Sequence, residues 1–291
     1  MQIHRNRQYS QADLLHICQQ VLTIAKNAGE VILSYYQNFD PTKDLQHKPD
    51  SSPVTTADLA AHNFIIQALT NISLNNNKLD LPILSEESED LSDTKSEHRL
   101  KWQDYWLIDP LDGTKEFIAR TGEFCVSIAL IENHRPILGV IHAPYYDLTY
   151  YAVLNGGAYK VNQSGQDKKI FTRKNMQQNI MLISSTRHHS HNKFGHLIHK
   201  FEQNNLSCNN IVTGSAIKFG LIAEGLADLY PRFGLTSEWD TAAGDIIVHE
   251  AGGLVEDLTG QKILYNMKTN VINPEFFAAG DKDFPWLHYL S

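Results

Sequence analysis

The stretch Asp109-Pro110-Leu111-Asp112-Gly113-Thr114 organises this sequence, because an apolar segment runs directly into two carboxylates three residues apart. That segment, Tyr105-Trp106-Leu107-Ile108, predicts a buried strand. Pro110 lacks the N–H that a strand ladder needs and is expected to stop the strand. Gly113 permits a tight turn, after which a helix is expected to begin. The motif is therefore predicted to place both carboxylates at a junction between a strand and a helix.

The residue types at this junction suit a hard cation and a phosphate together. Carboxylates such as those of Asp109 and Asp112, and a backbone carbonyl such as that of Leu111, are oxygen ligands of the kind that Mg²⁺ prefers. The N–H groups of Gly113 and Thr114, at the start of a helix, can hold phosphate oxygens. For an isolated D-x-x-D pattern, an aspartate pair that only caps a helix and closes a turn is the more common outcome. The proline, the Gly-Thr pair and two further acidic segments favour the metal site.

The two further acidic segments lie on either side of the central motif. Ser85-Glu86-Glu87 follows a short predicted strand, Pro82-Ile83-Leu84, so that carboxylates again come directly after a strand. By itself it would indicate a capping box or a solvated charge pair. Asp240, in Trp239-Asp240-Thr241-Ala242-Ala243-Gly244, is predicted where a helix begins, and an ordinary N-cap is an equally good interpretation of it. The small residues after it would let that helix pack closely against a neighbour.

The predicted elements divide the chain into two parts. A long helix is predicted from the N-cap Ser10 to about Tyr36, and a second helix opens at Thr56 or Asp58. Strands are predicted at 82–84, 105–108, 124–131, 137–142, 148–153, 180–183, 211–212, 228–230, 254–256 and 276–279, and later helices at 191–203, 216–225 and 241–251. Strands and helices alternate after about Lys168. We therefore predict an α+β metal-binding lobe at 1–168 and an α/β substrate lobe at 169–291, in one integrated catalytic unit.

Composition places the chain among ordinary globular proteins and excludes some partners. Its 291 residues are 42% hydrophobic and 20% charged, which is enough to bury a full core. A net charge of -8 argues against a nucleic-acid polymer as partner, because phosphate backbones need a basic surface.

The cysteines and the apolar runs of the sequence bear on its location. Cys18, Cys125 and Cys208 are far apart and odd in number, which indicates reduced thiols. Without an apolar signal sequence or a membrane-spanning run we expect a cytoplasmic protein, and association with the inner face of the cell membrane stays open.

Together the three acidic segments resemble the lithium-sensitive, Mg²⁺-dependent phosphatases of the inositol monophosphatase superfamily. That superfamily has an acidic pair after a strand, then D-P-L/I-D-G-T, then W-D-x-A-A-G followed by E-A-G-G. This chain carries Glu86-Glu87, the complete central motif, and Trp239 to Gly244 with Glu250-Ala251-Gly252-Gly253, so the resemblance spans nearly its whole length. Within the superfamily it is most similar to the CysQ-type 3'(2'),5'-bisphosphate nucleotidases of bacteria. This closer similarity is carried by Ser52 to Asp58, Asp109 to Ile118, Gly122 to Phe124, Pro136 to Val140 and Tyr230 to Gly234.

The resemblance implies a two-lobed sugar-phosphatase (inositol monophosphatase-like) fold, α+β and α/β, with alternating helix and sheet layers and a site between the lobes. It implies a phosphoric monoester hydrolase that converts adenosine 3',5'-bisphosphate to AMP and phosphate, which would dispose of a by-product of sulfate assimilation. In that enzyme Thr114, hydrogen-bonded to Asp58, would orient and deprotonate the attacking water. Glu86 could share this catalytic role.

The resemblance also implies two or three Mg²⁺ ions in each site. Glu86, Asp109 and the carbonyl of Leu111 would hold the first metal. Asp109, Asp112 and Asp240 would hold the second, so that Asp109 bridges the two. Two metals so placed can activate a water and also stabilise the leaving oxygen.

For the nucleotide, the resemblance implies contacts from the second half of the chain. Gly214, Ser215 and Lys218 match a G-S-x-x-K-F stretch that would serve the second phosphate or the ribose. Arg232 would clamp a phosphate, since its planar guanidinium suits phosphate oxygens. His188 would lie near the base, although the surrounding stretch has an extra histidine and a displaced arginine. The substrate would also contact Glu86, Leu111, Asp112, Gly113, Thr114 and Asp240.

Two other functions stay open at this point. An inositol monophosphatase or a sugar phosphatase would use the same metal site, and Lys218 and Arg232 favour the bisphosphate because it needs cations away from the metals. A non-catalytic phosphate- or metal-sensing module belongs to another class of protein, and the complete set of ligands with the Thr114–Asp58 pair disfavours it. In each case the partner is a small-molecule nucleotide or sugar phosphate, and the oligomeric state stays open.

Overall fold

The computed structural model describes residues 9–48, 51–88, 97–162, 164–174, 179–184 and 191–290. The helices that we label are α1 Gln11–Gln37, α2 Pro41–Asp44, α3 Thr56–Leu69, α4 Thr114–Ile118, α5 His191–Gln203, α6 Ile217–Ala223, α7 Ala242–Ala251 and α8 Trp286–Leu290. Within the described ranges, 3₁₀ turns lie at Pro144–Tyr146 and Glu238–Asp240. The strands are β1 Leu45–His47, β2 Pro53–Thr55, β3 Ser73–Leu74, β4 Asn77–Lys78, β5 Ile83–Ser85, β6 Asp104–Asp112, β7 Cys125–Glu132, β8 Arg135–Ala143, β9 Leu148–Val153, β10 Gly157–Val161, β11 Asp167–Ile170, β12 Asn179–Ser184, β13 Ser207–Val212, β14 Leu229–Arg232, β15 Leu254–Asp257 and β16 Phe276–Ala279.

Seven strands form the larger sheet, in the order β11-β10-β9-β8-β7-β6-β5. Its pairs are antiparallel except β5 and β6, which are parallel. Strands β6, β7 and β8 are buried along almost their whole length, because helices cover both faces of the sheet. Helices α1 and α3 pack on one face and α7 on the other. Gly139 of β8 permits a close approach of α7, since a Cβ at this position would lie 2.5 Å from the carbonyl oxygen of Ala243.

Five strands form the smaller sheet, in the order β13-β12-β14-β16-β15. Strand β12 is parallel to both of its neighbours, whereas β16 is antiparallel to both of its own. Helices α6 and α7 lie between the two sheets, in one apolar cluster with residues of both. Helices α5 and α8 cover the outer face of the smaller sheet. The layers therefore alternate helix, sheet, helix, sheet and helix, as predicted from the sequence.

Two details at the acidic segments differ from the prediction. Pro110 does not stop the strand, because β6 continues to Asp112 and its pairing with β7 becomes irregular after Asp109. Such an irregularity accommodates a residue that has no N–H and changes the direction of the strand end. Asp240 does not begin a helix but ends the second 3₁₀ turn, and α7 begins at Ala242.

The division of the chain at 168/169 stays a prediction. That boundary falls within β11, the last strand of the larger sheet along the chain. The apolar cluster around α6 and α7 contains residues of both sheets, so the two predicted parts share a core.

Candidate active site

The two aspartates of the central motif lie at the end of β6. Asp109 is 1% exposed, and its carboxylate accepts a hydrogen bond from the Leu111 N–H at 3.1 Å. Asp240 reaches the same point from the turn before α7, where the Ser237 N–H donates to its carboxylate at 2.8 Å. One carboxylate oxygen from each of Asp109, Asp112 and Asp240 lies within 4.8 Å of the other two. The fold thus brings together three of the predicted metal ligands.

Burial and mutual repulsion oppose the ionisation of these three carboxylates. Burial raises the pKa of Asp109 well above its usual range, and the negative charges of Glu86, Asp112 and Asp240 raise it further. Burial likewise raises the pKa of Asp240 to about 8, with added repulsion from Asp112 and Glu86. The pKa of Asp112 rises only to about 6, because Lys218 and a backbone N–H oppose the effect of burial. A divalent cation would offset this repulsion, so the donor set fits Mg²⁺.

Glu86 follows β5, but it is held by a residue that sequence reasoning missed. The Lys48 ammonium lies 2.7 Å from a carboxylate oxygen of Glu86 and 2.7 Å from one of Glu87. Among the described residues, the carboxylates that converge are the three aspartates and not Glu86, although its charge acts on all three. Lys48 lies just after β1 and before the stretch from Ser52 to Asp58, and no assigned motif includes it, so no local signal marks it. A cation bound by Glu86 would compete with this ammonium.

The predicted hydrogen bond between Thr114 and Asp58 is present. Thr114 begins α4 after Gly113, whose φ of 94° is accessible to glycine at little cost. Its hydroxyl lies 3.1 Å from Asp58 Oδ1 and 3.4 Å from the carbonyl oxygen of Leu111. The other Asp58 oxygen accepts hydrogen bonds from Thr55, from its N–H at 2.8 Å and its hydroxyl at 2.5 Å. This capping box at the start of α3 therefore also fixes the orientation of the carboxylate that faces Thr114.

A cleft of about 160 Å³ adjoins the acidic cluster. The predicted substrate residues in its lining are Asp112, Gly113, Gly214, Ser215, Lys218, Arg232 and Asp240. Lys218 is 5% exposed, and its ammonium donates to the carbonyl oxygen of Ser215 at 2.8 Å. Arg232 donates from Nη2 to the carbonyl oxygen of Leu235 at 3.1 Å, while its Nε is buried without a partner among the described residues. The cleft thus combines anionic and cationic groups.

The predicted Gly214-Ser215 stretch forms the rim of this cleft. Ser215 has a φ of 50°, and the next N–H, that of Ala216, donates to the Asp112 carboxylate. The Gly214 N–H donates at 3.1 Å to Glu123, a second residue that sequence reasoning did not assign to the site. The backbone of this loop therefore links the smaller-sheet side of the cleft to the end of β6.

Other predicted features lie away from the cleft. His188 is outside the described residues, so its contact with the base stays a prediction. A larger cavity of about 660 Å³ lies beside the β7–β8 hairpin and α7, and none of the predicted site residues lines it. We assign the chemistry to the smaller cleft, since convergent charges identify reactive sites better than volume does. None of the described helices is long and apolar enough to cross a bilayer.

Comparison with known families matches residues 13–282 to the inositol monophosphatase family. This chain belongs to that family. Over 272 residues it is 39% identical to the 3'(2'),5'-bisphosphate nucleotidase CysQ of Aggregatibacter actinomycetemcomitans. This alignment covers 93% of this chain and 95% of that protein. Over 258 residues it is 42% identical to the 3'(2'),5'-bisphosphate nucleotidase CysQ of Salmonella typhimurium strain LT2. This second alignment covers 89% of this chain and 97% of the Salmonella protein.

Solved structures of the inositol monophosphatase family have the same fold. The crystal structure of CysQ from Bacteroides thetaiotaomicron, a bacterial member of the family, has a TM-score of 0.77 to this chain and 34% sequence identity. The structural match covers 95% of this chain and 100% of the Bacteroides chain. The predicted family and the predicted fold class are thereby confirmed.

Proposed function

We propose that this chain is a Mg²⁺-dependent 3'(2'),5'-bisphosphate nucleotidase that hydrolyses adenosine 3',5'-bisphosphate to AMP and phosphate. The observation that carries the proposal is the cleft in which Asp112 and Asp240 lie beside Lys218 and Arg232. Carboxylates for cations and cationic groups for a further phosphate suit a substrate that has two phosphates. The family match and the names of the similar proteins support the same activity.

The proposed Mg²⁺ ligands are Glu86, Asp109, the carbonyl of Leu111, Asp112 and Asp240, for two or three ions in the site. Bound there, Mg²⁺ would supply a Lewis acid that lowers the pKa of a water and neutralises charge on the leaving oxygen. The chain holds one oxygen of each aspartate with a backbone N–H. These hydrogen bonds orient the carboxylates before any ion binds, as the outer partners of metal ligands commonly do.

Thr114 and Asp58 would handle the proton of the attacking water. The Thr114 hydroxyl donates to Asp58 Oδ1, which leaves the hydroxyl oxygen as an acceptor toward a water. Burial raises the pKa of Asp58 to about 7, against the opposing hydrogen bonds from Thr55. A carboxylate with a pKa near neutrality can take up a proton at Oδ1 that passes through the hydroxyl. This pair is therefore the proposed base, and Glu86 is the other candidate.

Lys218 and Arg232 are the proposed contacts of the second phosphate. One hydrogen of the Lys218 ammonium is used by Ser215, and an ammonium has three to donate. Burial holds this side chain at the cleft, and Arg232, which also lines the cleft, has a guanidinium with further N–H groups to donate. Gly214 and Ser215 are proposed at the ribose or the same phosphate, and His188 at the base.

A comparison of two substrates at one fixed Mg²⁺ concentration tests the proposal. We expect kcat/KM for adenosine 3',5'-bisphosphate to exceed that for inositol monophosphate by about 100-fold or more, because hydrogen bonds to charged groups contribute ~1.5–3 kcal/mol each. Equal values, or a preference for inositol monophosphate, would instead indicate an inositol or sugar phosphatase. If neither compound released phosphate, the sensing module would be favoured.

A further inference from the structure

Asp240 is carried by the short 3₁₀ turn Glu238–Asp240, which has few hydrogen bonds of its own. The Asp240 N–H donates to the carbonyl oxygen of Ser237 at 3.1 Å, and the Thr241 N–H donates within the turn at 3.3 Å. Such bonds hold a turn together without fixing its place relative to β6, which carries the other two aspartates. Contacts from elsewhere must therefore set the distance between Asp240 and those carboxylates.

The loop of residues 265–273, which we call the clamp loop, supplies these contacts. Its last residue, Asn273, is 6% exposed, and its side-chain nitrogen lies close to three oxygens around the turn. These are the carbonyl oxygen of Ser237 at 2.6 Å, Thr241 Oγ1 at 3.1 Å and Thr236 Oγ1 at 3.2 Å. One amide group thus binds residues on both sides of the proposed ligand.

A second residue of the clamp loop binds the turn and is itself held by an arginine. The Asn266 N–H donates to a carboxylate oxygen of Glu238 at 2.8 Å. The Asn266 side chain makes two hydrogen bonds with Arg99. Its oxygen accepts from Arg99 Nη1 at 2.5 Å, and its nitrogen donates to the backbone carbonyl oxygen of Arg99 at 2.7 Å. Arg99 also donates from Nη2 to the carbonyl oxygen of Thr269 at 2.9 Å. The clamp loop is thereby fixed to the segment that precedes β6.

The burial of this network suggests that its role is geometric. Arg99, Asn266 and Glu238 are 2%, 0% and 1% exposed. Burying a guanidinium and a carboxylate is costly, and apolar residues of similar volume are often as stable or more so. Most polar atoms of this network are hydrogen-bonded, although Arg99 Nε and Glu238 Oε1 are buried without a partner among the described residues. The hydrogen bonds that are made restrict how its members can be arranged.

We propose that Arg99, Asn266 and Asn273 are positioning residues, which hold Asp240 where it can bind Mg²⁺ together with the two aspartates of β6. The inference rests on the proposed Mg²⁺ site. Partners that orient metal ligands typically contribute about 10–100-fold in metal affinity. Loss of the clamp should therefore weaken Mg²⁺ binding and leave the catalytic groups in place.

The variants Asn273→Ala and Arg99→Met test this role. Mg²⁺ affinity is measured by calorimetry on each folded variant, and the Mg²⁺ concentration for half-maximal phosphate release is measured beside it. We expect both quantities to change by ~10-fold or more, while kcat at saturating Mg²⁺ stays within about threefold of the wild type. Asn270→Ala is the matched control, because Asn270 is an exposed residue of the same loop whose side chain accepts a hydrogen bond from the Ile272 N–H, within the clamp loop itself.

If Asn273→Ala does not fold, Thr241→Val provides the measurement, since with little change in volume it removes the hydroxyl through which the Asn273 amide and Tyr265 of the clamp loop bind the end of the turn, together with that hydroxyl's own bond to the Glu238 carbonyl. A smaller loss of Mg²⁺ affinity, by a few-fold, is then expected. Variants that lose thermal stability but bind Mg²⁺ as the wild type does would overturn the inference, because the network would be structural only. A wild-type protein that binds no Mg²⁺ would overturn the proposed metal site, and the positioning role with it.

Discussion

At the scale of single residues, the site depends on carboxylates that repel one another. Asp109 is the most buried of them, and the charges of Glu86, Asp112 and Asp240 all act on it. Such an arrangement stores repulsion in the metal-free protein, and a cation would relieve it. The identity of these residues was predicted from the sequence because each follows a strand or precedes a helix in a recognisable motif.

Asp109→Asn should abolish turnover without unfolding the protein. The amide has the size of the carboxylate but no negative charge, so it ligates Mg²⁺ poorly. We expect kcat to fall by at least ~100-fold, as for other groups that act directly on the developing charge. Circular dichroism checks the fold, and Asp283→Asn, an exposed aspartate near α8, is the control. Near-normal turnover in a well-folded Asp109→Asn protein would remove this residue from the site.

Lys218→Met and Arg232→Met should affect the bisphosphate more than a substrate with one phosphate. Each variant removes charge-assisted hydrogen bonds of ~1.5–3 kcal/mol, so kcat/KM for adenosine 3',5'-bisphosphate should fall by about 10–100-fold, mainly through KM. Inositol monophosphate should lose much less, since its phosphate would stay at the metal site. Lys282→Met, at an exposed lysine, is the control. Equal losses on both substrates would show that these cations do not determine specificity.

Two residues that contact the site from distant parts of the chain, Lys48 and Asn273, were not predicted. Lys48 is bound to Glu86, and Asn273 to Ser237, across 38 and 36 positions of sequence. Lys48 directly follows the short strand β1, Asn273 ends the clamp loop, and neither belongs to a motif that indicates a role at the site. Their roles follow from packing of remote segments, which hydrophobic periodicity and short motifs do not encode.

At the scale of elements, the strand that carries the central motif shows why prediction succeeded and where it failed. The apolar run 105–108 correctly indicated a buried strand, and Gly113 correctly marked the start of α4. Pro110 suggested an end to the strand, but the chain resumes pairing with β7 at Asp112, opposite Cys125. An irregular pairing satisfies the ladder without the missing N–H, and local sequence does not reveal that a partner strand extends so far.

The packing of α1 on β8 should make stability depend on pH through His142. This histidine is 3% exposed and lies against Gly29 of α1, and burial lowers its pKa to about 4. The unfolded chain binds a proton near pH 6.5, so the stabilising effect of the neutral imidazole is complete above that pH and is lost as pH falls toward 4. The loss should reach about 3 kcal/mol for a shift of this size.

Urea unfolding of wild type and His142→Gln between pH 7 and pH 4 measures this effect. The difference in unfolding free energy between the two proteins should shrink or reverse by about 3 kcal/mol over that range. His196→Gln, at an exposed histidine of α5, should follow the wild type. A constant difference between wild type and His142→Gln across the range would show that His142 does not titrate in this way.

At the scale of the whole molecule, the layered fold places the acidic cluster where two separately predicted parts of the chain meet. Asp109 and Asp112 come from the larger sheet, whereas Asp240 precedes the helix that packs between the sheets. The fold class was predicted from the order of strands and helices and from the family resemblance. The shared core around α6 and α7 was not, because it depends on how the sheets stack.

Mg²⁺ should stabilise the folded protein more at pH 8 than at pH 5.5. The folded-state pKa values of Asp112 and Asp240, about 6 and about 8, lie above those of an unfolded chain. Protonated carboxylates therefore favour the folded state at low pH, and this contribution is lost progressively as pH rises from about 4, the pKa in the unfolded chain, to about 8. Mg²⁺ competes with those protons, so its effect on Tm should grow with pH. Equal Mg²⁺-induced shifts in Tm at the two pH values, in thermal melts with EDTA controls, would contradict this coupling.

The products formed from adenosine 3',5'-bisphosphate test the proposed activity most directly. The protein is incubated with the substrate in EDTA and then with excess Mg²⁺, and the nucleotides are separated by chromatography while phosphate is measured. We expect no turnover in EDTA and, after Mg²⁺ is added, formation of AMP that retains its 5'-phosphate together with one equivalent of phosphate. Formation of adenosine 3'-phosphate, or phosphate release that proceeds equally well in EDTA, would contradict a Mg²⁺-dependent nucleotidase acting at the 3' position.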